Sequence, residues 1–175
     1  MEYTFLIPTI LSVVSLVWNY IQNRKILDLK SEAERKNLIH RYQFEKEFSI
    51  YTNLWAKLID LRNTTASLRP VLDTIDSTKN EEDIKKERLE KQYEKLIAVA
   101  ESFDKNRPFY SMEIYKEVNG LLNLSRSEAI DYQWNNKKET KYWEDSQKSI
   151  KELVEAMDKI SDLIRKRIEI VEVTK

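Results

Sequence analysis

The first apolar run of the chain is its longest. No residue between Glu2 and Arg24 is charged. The polar residues of the run are limited to Thr9, Ser12, Ser15 and Asn19. A helix needs roughly 20 mostly apolar residues to cross about 30 Å of hydrocarbon, and Tyr3–Ile21 meets that requirement. The pattern therefore predicts one transmembrane helix, within an anchor of residues 1–23.

The flanks of this run predict an orientation. Tyr3 at one end and Trp18 with Tyr20 at the other match the aromatic belts of membrane interfaces. Arg24, Lys25 and further basic residues follow the run, and none precedes it. By the positive-inside rule, we expect the N-terminus outside a bacterial inner membrane and a single-pass chain with its body in the cytoplasm.

Two other interpretations of the run are a helix buried in a soluble core and a cleaved signal peptide. A buried soluble helix is usually shorter or has a polar face. The leading residues MEYT are acidic, and no A-x-A site follows the run. Both features disfavour cleavage.

Helical periodicity continues after the run, without a helix breaker before Pro70. Steps of four and three residues predict a helix over about 24–68, with a seam of Phe44, Phe48, Tyr51, Trp55 and Leu58, widened by Leu54, Leu61 and Leu68. Further helices are expected at about 81–106, 111–124 and 127–171. The expected N-terminal caps of these three helices are Thr78 with Glu81, or Asn80 alone, for the first, Ser111 for the second, and Ser125 with Glu128 for the third. The last helix carries the clearest seam, which includes Trp143 and Ile150.

The composition supports an all-α fold. The chain has one glycine and three prolines, too few for the turns of a sheet-rich protein. We expect the single transmembrane helix to continue into a long antiparallel helical bundle or coiled coil over 24–175. The absence of cysteine excludes disulfides and thiolate sites, and 30 basic against 30 acidic residues give no bulk attraction for nucleic acid.

The expected helix lengths suggest self-association. Two short middle helices cannot cover both long helices, and the first helix offers only Ile26, Leu29 and Ala33 near the membrane. An apolar seam on the last helix is then left without a partner in the chain: Leu153, Met157, Ile160 and Ile164. A homo-oligomer, most simply a dimer, is the expected solution.

The search for chemistry yields no catalytic, cofactor or metal residues. His40 is the only histidine and Asn37 precedes it by three, which does not fit the Glu-x-x-His pairs of di-iron bundles. One glycine cannot build a phosphate loop. The carboxylate pairs lie at helix starts or on charged faces. We therefore expect a protein that is not an enzyme.

Two basic segments invite a binding hypothesis. In NRPFY, Arg107, Phe109 and Tyr110 are candidates for a partner contact, since Arg and Tyr are favoured anchors. The other interpretation is that Phe109 and Tyr110 plug the distal end of the bundle. Arg165, Lys166 and Arg167 either approach lipid headgroups or form a solvated helix end.

The run HRYQFEKEFSIYTNLWAKLIDLRNTTASLRP, residues 40–70, together with NRPFYSMEIY, residues 106–115, resembles small bacterial membrane-anchored helical proteins of no assigned activity. Some proteins of this kind occur in mobile elements and phage-defence loci. The resemblance implies no reaction. The expected function is a membrane-anchored scaffold that binds itself and a protein partner. The alternative is a defence or toxin effector whose assembled spans, through Thr9, Ser12, Ser15 and Asn19, perturb the bilayer.

Overall fold

Four α-helices and one short 3-10 helix build the described chain. The computed structural model describes residues 6–70, 78–134 and 140–173. The helices are α1 (Leu6–Ala66), α2 (Glu81–Lys105), α3 (Met112–Trp134) and α4 (Thr140–Val173), with the 3-10 helix at Arg107–Phe109. These ranges contain no strand. The all-α class predicted from the scarcity of glycine and proline is confirmed.

The chain divides into two compact units, residues 1–46 and residues 47–175. The first unit is built on α1, and its side chains from Ser15 onward are almost all exposed. Ion pairs four residues apart support the helix here: Lys36 with Glu32 and Arg41 with Glu45, both at 2.9 Å. The second unit, which begins at Glu47, is the helical bundle.

Among the helices of the described residues, none has both the length and the apolar character that crossing a membrane requires. The expected span, Tyr3–Ile21, starts in residues 1–5, which lie outside the described part of the chain.

Neighbouring helices of the bundle run antiparallel. The Ser102 hydroxyl lies 3.5 Å from the Asn53 side-chain oxygen, and Lys57 donates to the Ala98 carbonyl at 3.3 Å, so residue numbers rise in α1 as they fall in α2. The pairing of α2 with α3 has the same sense, because Gln92 meets Ser125 while Lys85 meets the carbonyl of Gln133. The bundle is thus an up-down-up-down arrangement.

The buried apolar row of α1 consists of residues at heptad spacing, Tyr51, Leu54, Leu58 and Leu61, and Leu68 is buried just beyond the end of the helix. The predicted helix face is therefore nearly right, but its centre is displaced. Phe48, expected on the seam, is 49% exposed, whereas Leu54 and Leu61 are fully buried. The other helices pack against the leucine side of α1. Leu54 and Leu61, which were expected at the edge of the apolar stripe, therefore lie at its centre.

The predicted oligomer seam of α4 lies inside the bundle. Leu153, Met157, Ile160 and Ile164 are all buried, and they share one core cluster with Leu54, Leu58 and Leu61 of α1 and with residues of α2 and α3. The structure corrects the expectation that this seam lacks a partner within the chain, because its four residues pack inside the core cluster of the bundle.

The predicted break after Leu124 is wrong, and α3 continues to Trp134. Ser125 and Glu128 do not cap a new helix, because the Ser125 side chain bonds to Thr65 of α1 and the Glu128 side chain bonds to Arg69, just beyond α1. The fourth helix begins at Thr140, not at 127. Gly120 is an ordinary helical residue of α3, with φ outside the left-handed region.

Two other predicted caps are confirmed. The Asn80 side chain accepts a hydrogen bond from the backbone N–H of Asp83 at 2.7 Å, which starts α2 and decides between Asn80 and Thr78. The Ser111 hydroxyl accepts from the Ile114 N–H at 3.3 Å at the start of α3.

Gly120 gives a first test of the fold. It is exposed in the interior of α3, and a Cβ at this position meets nothing within 4 Å. Because alanine loses less backbone entropy than glycine on folding, Gly120→Ala should raise the free energy of unfolding by about 0.5–1 kcal/mol. Urea denaturation followed by circular dichroism measures this change. A loss of stability would show that α3 needs glycine here.

Candidate functional site

A buried ion pair lies at the end of the bundle where α1 ends. Arg69 and Glu128 are each about 1% exposed. Arg69 Nε donates to Glu128 Oε1 at 2.6 Å, Nη2 donates to Oε2, and Nη1 donates to the Tyr142 carbonyl at 2.9 Å. The guanidinium also lies 4.8 Å from the centroid of the Tyr142 ring. One side chain thus joins the residues after α1 to α3 and to the first turn of α4.

This ion pair is electrostatically self-contained. Burial by itself would lower the pKa of Arg69, but the hydrogen bonds and the charge of Glu128 outweigh it and raise that pKa. A bidentate guanidinium–carboxylate pair also leaves few lone pairs unused. The arrangement therefore stabilises itself and offers no vacant charged group to a substrate.

A second buried polar group lies next to the ion pair. The Thr65 and Ser125 hydroxyl oxygens are 2.6 Å apart, and Gln92 Nε2 donates to the Ser125 hydroxyl at 2.8 Å and to its carbonyl at 3.2 Å. We call Thr65, Gln92 and Ser125 the polar triad. It links α1, α2 and α3 near the end of the bundle where α1 ends.

The candidate partner loop is fastened to the bundle. The Tyr51 hydroxyl lies 3.1 Å from the Phe109 carbonyl, to which it donates, and the Tyr110 ring stacks on Phe103 with centroids 4.8 Å apart. The Arg107 guanidinium lies 4.6 Å from the centroid of Tyr115. Phe109 is 44% exposed. Of the three candidates, Tyr110 is partly buried against the core, while Arg107 and Phe109 stay at the surface.

The loop lies at the opposite end of the bundle from the one expected. It contacts Tyr51, near the start of the bundle, and not Leu68, because α2 runs antiparallel to α1. The Tyr110 hydroxyl is buried and has no hydrogen-bond partner among the residues that the structure describes.

The basic cluster near the end of α4 has a partner in the chain. Arg167 donates to the two Glu47 carboxylate oxygens at 2.7 and 3.3 Å, and Glu47 Oε1 is 3.3 Å from the Tyr51 hydroxyl. Arg165 lies 3.6 Å from Asp162. Lys166 is exposed. The pairing of Arg167 with Glu47 closes the bundle at its Tyr51 end.

The expected membrane-interface residues lie in the first unit. Trp18 is 65% exposed and Tyr20 is 59% exposed. The Arg24 guanidinium lies 5.2 Å from the centroid of the Tyr20 ring, and Lys25 is exposed. Tyr3 lies outside the described residues.

The described side chains do not assemble a metal centre. Within residues 6–70, 78–134 and 140–173, no group of three or more His, Asp and Glu side chains is placed to hold an ion. His40 is exposed in α1.

Comparisons with known proteins give no relative. No family model matches the chain, and neither the curated proteins nor the solved structures contain a significant match.

Sequence reasoning missed the residues with the most specific contacts. Thr65 and Ser125 are polar residues on stripes that are otherwise apolar, and that interruption was the available signal. Arg69 was read as the residue before Pro70, where a helix usually ends. The partner of each group lies about 60 positions away, so spacing along the chain could not reveal it.

The buried tyrosines predict an alkaline transition. Burial raises the pKa of Tyr51, Tyr110 and Tyr142 to about 12, from an ordinary value of 10.0. Because the folded state holds these protons more tightly than the unfolded state, their contribution to stability is full below pH 10 and falls as the pH rises towards 12. Ultraviolet difference spectra of the folded chain should show three tyrosines that ionise only near pH 12. Ionisation of all tyrosines near pH 10 in a folded chain would contradict this.

Glu128 tests the buried ion pair. Glu128→Ala leaves the Arg69 charge buried without a carboxylate and should cost about 3–5 kcal/mol of unfolding free energy, measured by urea denaturation. Glu87→Ala is the matched control, since Glu87 pairs with Lys79 at the surface and its loss should leave the midpoint nearly unchanged. Equal losses of unfolding free energy in the two variants would show that burial does not make the Arg69–Glu128 pair more important for stability than a surface pair.

Proposed function

We propose that the chain is a membrane-anchored helical interaction protein of the cytoplasmic membrane face, with residues 1–23 in the bilayer. The observation that carries the proposal is the run without charge between Glu2 and Arg24. Within this run, the described apolar side chains Leu16, Val17 and Ile21 are 67%, 53% and 45% exposed. Apolar side chains in such number on one exposed helix favour a lipid environment.

Charge and aromatic residues support the same placement. Trp18 and Tyr20 have the amphipathic rings that favour the headgroup region, and Arg24 next to Tyr20 marks the transition to water. The basic residues that follow the run favour the cytoplasm for the bundle, by the positive-inside rule.

The proposed role of the bundle is binding rather than catalysis. Its buried polar groups are engaged with each other: Arg69 with Glu128, and Thr65 with Ser125. Groups that satisfy one another in a core stabilise a fold and are not available to a substrate. The surface of the loop around Phe109, which Tyr51 holds in place, is the proposed contact for a protein partner.

Self-association stays a prediction of the sequence alone. The seam put forward for it is filled by the chain itself. The proposed anchor function does not require an oligomer.

Matched charge insertions test the anchor. Leu16→Lys places a charge in the proposed span, while Leu27→Lys places the same charge on an equally exposed leucine beyond it, at 64% against 67% exposure. A charge near the middle of a bilayer costs about 2.5–3.5 kcal/mol on insertion scales. Leu16→Lys should therefore shift the protein from carbonate-washed membranes to the supernatant, and Leu27→Lys should not. Recovery of the parent chain in the supernatant would overturn the proposal.

A further inference from the structure

Two acceptors compete for the single proton of the Tyr51 hydroxyl. The Phe109 carbonyl oxygen lies 3.1 Å from this hydroxyl, and Glu47 Oε1 lies 3.3 Å from it. A phenol has one proton to donate, so it satisfies only one of these oxygens fully at a time. Because Tyr51 is only 2% exposed, its hydroxyl depends on partners within the protein.

The Glu47 carboxylate is the stronger of the two acceptors. Hydrogen bonds to an ionised carboxylate are roughly twice as strong as bonds between neutral groups. Only 16% of the Glu47 side chain is exposed, so water solvates its charge incompletely. Without another donor, Glu47 would therefore take the Tyr51 proton. Residues 106–110, which we call the Phe109 loop, would then lose their hydrogen bond to α1.

Arg167 of α4 supplies that other donor. Its guanidinium donates to Glu47 Oε1 at 2.7 Å and to Oε2 at 3.3 Å, and Oε1 is the oxygen that faces Tyr51. A carboxylate that is already bonded to a cation attracts a second donor less strongly. Burial raises the pKa of Tyr51 to about 12, while Arg167 acts to lower it, which places the guanidinium close to the same hydroxyl. The proton of Tyr51 is thus left for the Phe109 carbonyl.

We infer that Arg167 keeps the Phe109 loop attached to the bundle by withholding Glu47 from the Tyr51 hydroxyl. The contacts run from α4 through two residues of α1 to the carbonyl of Phe109. Arg167 is therefore a positioning residue for the loop, and the end of α4 controls the surface that the loop presents. The meaning of this control for partner binding rests on the proposed function, whereas the state of the loop itself does not.

Amide hydrogen exchange in the full-length chain, followed by NMR, measures opening of the loop. The Phe109 and Tyr110 N–H groups donate to the carbonyls of Asn106 and Arg107 at 3.0 and 3.2 Å, so they exchange when the loop leaves this conformation. The Val99 amide, in the buried interior of α2, is the reference for opening of the whole bundle.

Four variants distinguish competition for the proton from the simple loss of an ion pair. Arg167→Met removes the guanidinium and leaves Glu47 free to take the Tyr51 proton. Glu47→Leu removes the competing acceptor, and the double variant removes both side chains. Tyr51→Phe removes the donor and is the positive control. If Arg167→Met lacks a cooperative melt in circular dichroism, Arg167→Gln replaces it, alone and in the double variant.

Arg167→Met and Tyr51→Phe should each raise exchange at Phe109 and Tyr110 about fivefold, the change expected when one hydrogen bond is lost, without an equal rise at Val99. Glu47→Leu and the double variant should exchange like the parent chain, because the Phe109 carbonyl then has no competitor for the Tyr51 proton. Arg167→Lys, which keeps a positive charge against Glu47, should remain close to the parent.

The inference fails if Arg167→Met leaves exchange of the loop unchanged. It also fails if Glu47→Leu or the double variant opens the loop as much as Arg167→Met does, since the ion pair would then act only by joining α1 to α4. Neither result bears on the membrane anchor, which the charge insertions at Leu16 and Leu27 test separately.

Discussion

The burial of Arg69 constrains the whole end of the bundle. A guanidinium withdrawn from water is tolerated only when a carboxylate and further acceptors surround it, because desolvation costs several kcal/mol per ion. Glu128 supplies the carboxylate from α3, and Tyr142 supplies a carbonyl and a ring from α4. The start of α4 is consequently fixed by a residue that lies just beyond the end of α1.

Much of the fold follows from local sequence patterns. Few glycines and prolines indicate helices, heptad leucines mark the buried face of α1, and Asn80 and Ser111 fall where helices begin. Ser125 and Glu128 show where such reasoning fails. Serine followed after three residues by glutamate is the pattern of a capping box, but the same residue types also make buried interhelical bonds. Only the three-dimensional neighbours, Thr65 and Arg69, distinguish the two roles.

A misplaced start of the fourth helix accounts for the error about the seam of α4. With that helix starting at 127, its seam fell beside the membrane-proximal part of the first helix. The observed α4 starts at Thr140, and Arg167 near its end pairs with Glu47, so the seam lies in one core cluster with residues of the bundle part of α1. Apolar side chains stay exposed in both units, among them Leu16 and Val17 in the first and Trp134 in the second. The candidate function depends on the uncharged run, where such side chains follow one another along the helix, and the bundle contributes a stable body.

The contacts of α1 join distant parts of the chain, across 41 residues to α2, 60 to α3 and 120 to α4. Closing such loops costs little at equilibrium, since each doubling of length adds only about 0.6 kcal/mol. The consequence is kinetic, because nonlocal contacts form slowly. While a newly made chain folds, the apolar row of α1 stays uncovered until the later helices have been made and have docked. Apolar surface that the finished bundle buries is therefore exposed during synthesis. In this interval aggregation competes with folding.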